Sequence, residues 1–294
     1  MPIEIRRAAP RASRCFALPR LALAAALAAW AFPAAQAARA AAVTRVFVVV
    51  LENEDGTEAY RQPFLHRLAD EGALLEGSVA VAHPSYPNYL ALTSGSTWGV
   101  KSDRQRTLDA THIGDLLEAK GKTWKLYAEG YPGDCFLGRR RRTYTRSHVP
   151  FLSYRNVQEA PARCARVVEA GELRADLERG TLPDFMMYIP HNDHNGHNTG
   201  VARADRYLEQ TLGPLLGDRR FTDGLLLVVT FDEDDKKHDN HIYTALWGAK
   251  IVAGARPATP CTHYSLLRTI EDQLGLGRLG REDDKAAPIT GVWR

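Results

Sequence analysis

Two pairs of side chains stand where charge is hardest to keep. Glu52 and Asn53 directly follow the apolar run Arg45 to Leu51, and Asp232 and Glu233 follow the run that ends near Thr230. A carboxylate at the end of a buried strand is costly unless it is paired or holds a cation. Oxygen donors of this kind suit a hard or borderline divalent metal. One such residue would read as a helix cap. Two such pairs, each following a strand, favour a metal.

Two polar segments could add chemistry to that metal. In His83-Pro84-Ser85-Tyr86-Pro87-Asn88-Tyr89, two prolines fix the backbone around Ser85 and a helical pattern starts at Asn88. A serine there lies beside the free N–H groups and positive end of a helix, which attract phosphate. A bare serine is a weak nucleophile and needs a base or a metal to activate it. Spacing alone favours Ser85 or Asn88 as a plain helix cap. His191-Asn192-Asp193-His194-Asn195-Gly196-His197-Asn198 is unusually dense in imidazole. Histidine can ligate a metal or protonate a leaving oxygen near neutral pH. Asp193 and His197 share one face if the segment is helical, which Gly196 leaves open. His241, ahead of a strand, and His263, opening the last helix, stand singly and read as structural when taken alone. Arg139 to Arg142 is a run of four arginines, expected to face solvent, with a funnel for anionic esters as the sharper alternative.

These residues need a scaffold that gathers strand ends. Arg45 to Leu51 is a continuous β-branched run, the pattern of a parallel strand buried on both faces. Trp124 to Ala128, Phe185 to Ile189, Leu225 to Thr230 and Tyr243 to Trp247 predict further strands. Helices are predicted over Pro63 to Glu71, Asn88 to Ser94, His112 to Ala119, Arg203 to Leu216 and Thr262 to Leu274. The alternation predicts an α/β fold: a mostly parallel central sheet with helices on both faces. Ligands bind such sheets outside the carboxyl ends of the strands. Glu52-Asn53, His191 to His197 and Asp232-Glu233 all follow strands and would meet in one crevice. Asp134 to Ala165 is irregular and reads as an excursion from this core.

The chain has 294 residues, 45% apolar and 25% charged, ordinary proportions for a globular protein. Residues 1–37 predict a cleaved export signal: five arginines, an apolar stretch from Leu21 to Ala35, then Ala35-Gln36-Ala37, with Ala38-Arg39-Ala40 as a second cleavage candidate. The stretch is shorter than the ~20 residues a membrane span needs, and Pro33 interrupts it. Residues 38–294 then form one large α/β domain, expected to be exported to the periplasm or beyond, with no stable membrane anchor. Losing five arginines and one glutamate takes the net charge from +3 to −1, so basicity gives no argument for a nucleic-acid partner. Cys15 leaves with the signal. Export makes a Cys135–Cys164 disulfide bracketing the excursion plausible and leaves Cys261 free.

In order along the chain stand Leu51-Glu52-Asn53, His83 to Tyr89, Trp124 to Gly130, Pro190 to Asn198, Thr230-Phe231-Asp232-Glu233 and His263 to Asp272. Together they resemble the phosphoesterase family of bacterial acid phosphatases and non-specific phospholipases C, which has an alkaline-phosphatase-like core. The resemblance implies that Glu52, Asn53, Asp232 and Glu233 hold a divalent metal with Ser85, the nucleophile, at its edge. It implies that His197 and His263 serve the phosphate site, and it overturns the capping role for Ser85. The family usually has Asp-Gly-His where this chain has Asn195-Gly196-His197, so a carboxylate is missing that Asp193 could replace. One ion is expected, with a second possible near Asp193, His197 and His263. The expected reaction is hydrolysis of phosphate esters through a phosphoserine, with His197 and either His263 or His241 serving the phosphoryl charge and leaving oxygen. Acid phosphatase is the first reading and phospholipase C the second. A non-catalytic metal-binding protein of this fold is kept as a different class. No sulfatase-type motif surrounds Ser85.

Overall fold

The computed structural model describes residues 42–294, so the expected signal, its cleavage motifs and Cys15 lie outside the described residues. The main sheet has seven strands in the order β2-β9-β8-β1-β7-β3-β6. These are β1 (Arg45–Leu51), β2 (Ala73–Leu74), β3 (Trp124–Ala128), β6 (Val167–Glu169), β7 (Phe185–Ile189), β8 (Leu225–Phe231) and β9 (Thr244–Trp247). A small separate hairpin pairs β4 (Arg140–Arg141) with β5 (Tyr144–Thr145).

β1 lies at the centre, parallel to β7 on one side and β8 on the other. β3 continues the parallel pairing to β7 and β6. Only β9 and β2, at one edge, run antiparallel to their neighbours. The β-branched run of β1 supplies both layers of the core. Val46, Val48 and Val50 pack on one face, while Phe47, Val49 and Leu51 pack on the other. That two-sided burial is why its sequence shows no polar alternation.

Helices α1 (Pro63–Glu71), α4 (Glu172–Arg179) and α5 (Val201–Leu216) cover one face through Leu65, Leu68, Leu173, Leu177, Leu208 and Leu212. Helices α2 (Tyr86–Ser94), α3 (Ile113–Ala119) and α6 (His263–Leu274) cover the other through Tyr89, Leu90, Ile113, Leu117, Leu267 and Ile270. All five predicted strands and all five predicted helices form, with ends within two residues of expectation. β2, β6 and α4 were not anticipated. Among the described residues no helix is long and apolar enough to cross a membrane.

The segment after β3 departs from the sheet as expected. It carries the hairpin and several short helical turns. Cys135 and Cys164 are bonded across it, with Cα atoms 5.6 Å apart, and Cys261 is free and buried.

Candidate active site

The parallel register Leu51↔Phe231 makes Glu52 and Asp232 the next residues of two adjacent strands. The pairing extends past the strands: Asp232 N–H donates to Leu51 O at 2.9 Å, and Asn53 N–H reaches Asp232 Oδ1 at 3.3 Å. Asn53 adopts φ 56°, the left-handed region that asparagine tolerates better than most residues. Its Nδ2 donates to Glu233 Oε1 at 2.8 Å. Glu52, Asp232 and Glu233 are all almost fully buried.

Burial, then the proximity of Asp232, holds the Glu52 carboxyl well above its ordinary range. Burial, then Glu233, does the same to Asp232, and burial also raises Glu233. Three buried carboxyls, two of them raised further by a neighbouring carboxylate, stand together with little positive charge beside them. Two of the buried atoms without a hydrogen-bond partner are Asn53 Oδ1 and Asp232 Oδ2, both acceptors only. Orphaned acceptors among crowded carboxylates are what a cation satisfies, so this donor set fits a divalent metal. The three carboxylates are not drawn within 4.8 Å of one another as a tight triplet; Ser85 and Asn53 stand between them.

Ser85 lies at the first turn of α2, and its hydroxyl caps nothing in that helix. Oγ instead reaches Glu52 Oε2 at 3.2 Å and Glu233 Oε1 at 3.1 Å. The cap comes from elsewhere, since Tyr86 N–H donates to Asp103 Oδ1 at 3.0 Å. Asn88 turns back to bind Val81 N and Ala82 N at 3.0 Å each. The expected free helix N-terminus for phosphate is therefore partly closed, because Asp103 occupies the Tyr86 N–H and Pro87 has none.

The histidine-rich segment divides. His194 Nδ1 contacts Glu129 Oε1 at 2.8 Å and His191 Nε2 does so at 3.3 Å. The other nitrogen of each ring faces a donor: Asp193 N–H to His191 Nδ1, and Arg203 NH2 to His194 Nε2, both at 3.3 Å. Glu129, His191 and His194 lie close enough to hold an ion. As placed, each ring already uses one nitrogen as acceptor and offers the other as donor to Glu129, so the cluster is satisfied as a clamp on the β3 end. Of the segment's three histidines only His197 reaches the cleft at Ser85, together with Asn192.

That cleft is a cavity of about 300 Å³, whose walls include Ser85, Arg139, Arg140, His148, Asn192 and His197. His148, from the irregular excursion, carries no signal in the sequence. It is buried, lies 3.3 Å from Glu52 Oε1 and stacks on Tyr89, whose hydroxyl also donates to Glu52. Burial, then the nearby His197 and Arg140, push its pKa down to about 3, so it stays neutral. His83 is a further residue of the site whose role the sequence does not signal: its Nδ1 lies 2.5 Å from Glu233 Oε2 and its Nε2 3.2 Å from Asp234 Oδ1.

Three expected placements need correction. His241 is not brought to the cleft; its ring lines a different cavity with Tyr60 and Arg256, its Nε2 3.1 Å from Glu76 O. His263 is buried, with Nε2 2.7 Å from the backbone oxygen of Asp232, and burial lowers its pKa to about 4. It holds the end of β8 and does not line the cleft. Asp193, His197 and His263 do not gather into a second ion site among the described residues. Asp193 is taken up by Asn198 Nδ2 at 2.7 Å, and His197 is exposed. Asn195, standing for the expected Asp, accepts His197 N–H at 3.0 Å, and its Nδ2 has no partner.

The model of the Phosphoesterase family matches residues 55–277, beginning just after Glu52 and Asn53. This chain belongs to the Phosphoesterase family. Among curated relatives, the phosphate-repressible acid phosphatase of Penicillium chrysogenum is 32% identical over 82% of this chain and 61% of its own. The acid phosphatase of Aspergillus fumigatus is 31% identical over 82% and 57%. The chain thus spans about three-fifths of the length of these fungal relatives. The phosphatidylinositol-3-phosphatase of Mycobacterium tuberculosis is 31% identical over 96% of this chain and 95% of its own. Among solved structures, an alkaline phosphatase superfamily protein from Vibrio parahaemolyticus aligns over 85% of this chain and 71% of its own, with TM-score 0.59 and 13% identity. That likeness concerns the fold.

Proposed function

We propose that this family member is an exported, metal-dependent phosphatase that hydrolyses phosphate monoesters through a phosphoserine at Ser85. The observation that carries the reading is the position of Ser85 Oγ, 3.2 and 3.1 Å from oxygens of Glu52 and Glu233 and free of any capping duty. A divalent cation held by Glu52, Asn53, Asp232 and Glu233 would lower the pKa of the Ser85 hydroxyl and neutralise phosphoryl charge. Ser85 Oγ gives its proton to one of the two facing carboxylates and attacks phosphorus in line. The bond from phosphorus to the leaving oxygen breaks. His197, open to solvent in the cleft, gives that oxygen a proton. Water then cleaves the phosphoserine, releasing phosphate and restoring Ser85. His148 and Asn192, in the same cleft, are placed to bind phosphoryl oxygens, and His263 acts only by positioning the end of β8.

The names of the fungal and mycobacterial relatives, all phosphatases, favour monoesters over the phospholipase C alternative. The signal-like leader and the Cys135–Cys164 disulfide support export to an oxidising compartment. The test is acid quench during turnover of a phosphomonoester, followed by peptide mapping. Phosphate is expected on the peptide containing Ser85, with faster turnover of para-nitrophenyl phosphate than of its bis-ester or of phosphatidylcholine. Turnover without a labelled Ser85 peptide would reject the covalent route, and faster hydrolysis of phosphatidylcholine would move the assignment to phospholipase C.

A further inference from the structure

The arginine run divides as the histidine run does. Arg141 and Arg142 line a separate hollow with His191, whereas Arg139 and Arg140 line the Ser85 cleft. Several exposed arginines of this chain are paired with acids, as Arg61 is with Glu58, Arg155 with Glu159 and Arg220 with Asp218, while others such as Arg104 and Arg206 have no such partner among the described residues and line no cleft with Ser85. Among the described residues Arg139 and Arg140 have no carboxylate partner, and the one side-chain contact of Arg140 is to Thr145 Oγ1 at 3.4 Å. In the same cleft, Gln105 Nε2 is a buried donor with no acceptor. Two unpaired guanidinium groups and an unpaired amide are donors without an anion.

The turn that carries them is fixed. Arg146 N–H donates to Arg139 O at 3.1 Å, and the Arg146 guanidinium is buried, donating to Leu137 O at 2.6 Å and Leu152 O at 2.8 Å. The Cys135–Cys164 bond ties the same excursion. Fixed donors lose less freedom on binding than a loose loop would. The cleft of about 300 Å³ is at the size of small-molecule pockets and has room for more than one phosphoryl group. Asp103, its one acidic wall residue, is engaged by Tyr86 N–H.

We propose that Arg139, Arg140 and Gln105 form a second anion subsite, so that the preferred substrates carry a phosphate besides the one that Ser85 attacks. This rests on the phosphatase reading and names its substrate class. Guanidinium forks suit phosphate. A soluble sugar bisphosphate and a phosphorylated lipid headgroup present that same second charge.

The experiment measures kcat/KM of the full, metal-loaded protein, wild type and R139S/R140S. The substrates are para-nitrophenyl phosphate, fructose 1,6-bisphosphate, and phosphatidylcholine vesicles carrying phosphatidylinositol 3-phosphate. The double substitution is expected to reduce at least one two-phosphate substrate about tenfold more than para-nitrophenyl phosphate, the scale of one charge-assisted hydrogen bond. The arm that falls names the source. Equal losses on all three, or none, overturn the proposal. Calorimetric titration in a Ser85→Ala background, needing no turnover, compares fructose 1,6-bisphosphate with fructose 6-phosphate. Arginine removal should weaken the bisphosphate about tenfold more. Unchanged preference for the bisphosphate overturns the subsite. A protein that hydrolyses nothing yet shows this binding difference refutes the phosphatase reading and keeps the subsite.

Discussion

Ser85 sits where a helix cap belongs, and its hydroxyl turns to two carboxylates instead. Sequence spacing could not separate these roles, because both need a small polar residue at the first turn. The two roles predict different outcomes for Ser85→Ala. A lost cap would destabilise by about 1 kcal/mol or more with near-normal turnover. Since Asp103 caps the Tyr86 N–H, we expect a change below about 1 kcal/mol in chemical unfolding and a rate loss of several orders of magnitude. If the variant keeps more than about a tenth of wild-type kcat, a barrier change under about 1.4 kcal/mol, Ser85 is not the nucleophile. Tyr89 offers a contrast at the same site. It donates to Glu52 from within α2, so Tyr89→Phe removes one hydrogen bond and leaves Ser85 in place. That variant should lose roughly ten- to a hundredfold in kcat/KM, well short of Ser85→Ala, because a bond to a charged group is worth about 1.5–3 kcal/mol. A loss as deep as that of Ser85→Ala would show that Tyr89 does more than orient Glu52.

At the scale of elements, legibility followed burial. β1, β3 and β7 read correctly to the residue because uninterrupted apolar runs have few other uses. β6 and β2 are too short for any period to show, and α4 has only Leu173 and Leu177 as an apolar stripe. The strand ends made Glu52, Asn53, Asp232 and Glu233 readable as one cluster, since a parallel register brings consecutive strand ends together. His148 was hidden because it comes from the irregular excursion, where no period tells which side chains turn inward. His112 was read only as the start of a helix, yet it is the cap of α3. Its Nδ1 accepts Gly114 N–H at 3.0 Å, which requires an unprotonated ring. Burial lowers its pKa to about 4. A histidine with a lowered folded pKa contributes stability above its ordinary value near 6.5, and loses it as pH falls through about 4. Unfolding free energy should therefore drop by up to about 1.4 kcal/mol per pH unit within that window from this group. His112→Asn keeps a capping acceptor that does not titrate. It should be less stable at pH 7, having lost buried ring contacts, and should show a shallower fall toward pH 4. An equally steep fall would remove His112 as the source.

For the molecule as a whole, the central strand carries the greatest electrostatic liability. Glu52 directly follows β1, the strand flanked on both sides by parallel partners, and Asp232 directly follows its neighbour β8. Burial, then Asp232 for Glu52 and Glu233 for Asp232, raise both carboxyls well above their ordinary range when no cation is near. The sign follows from linkage. A carboxyl whose folded pKa is raised supports the fold below its ordinary pKa and loses that support as pH rises toward the raised value. The metal-stripped protein should thus become less stable as pH rises above about 4.5, as these groups are forced to ionise in place. A divalent cation binds the ionised forms, so its stabilisation should grow over the same range as binding releases fewer protons. The measurement is the melting temperature with saturating metal and with chelator, taken at matched pH from 5 to 8. Comparing the two at each pH cancels His112, which titrates alike in both. The gap should widen with pH, and at a free cation concentration about a hundred times Kd it should correspond to about 2.7 kcal/mol. Glu52→Gln should narrow it by removing one ligand charge and one raised carboxyl together. A gap that stays constant with pH, or that Glu52→Gln leaves untouched, would mean that the cation stabilises this chain somewhere other than at the ends of β1 and β8.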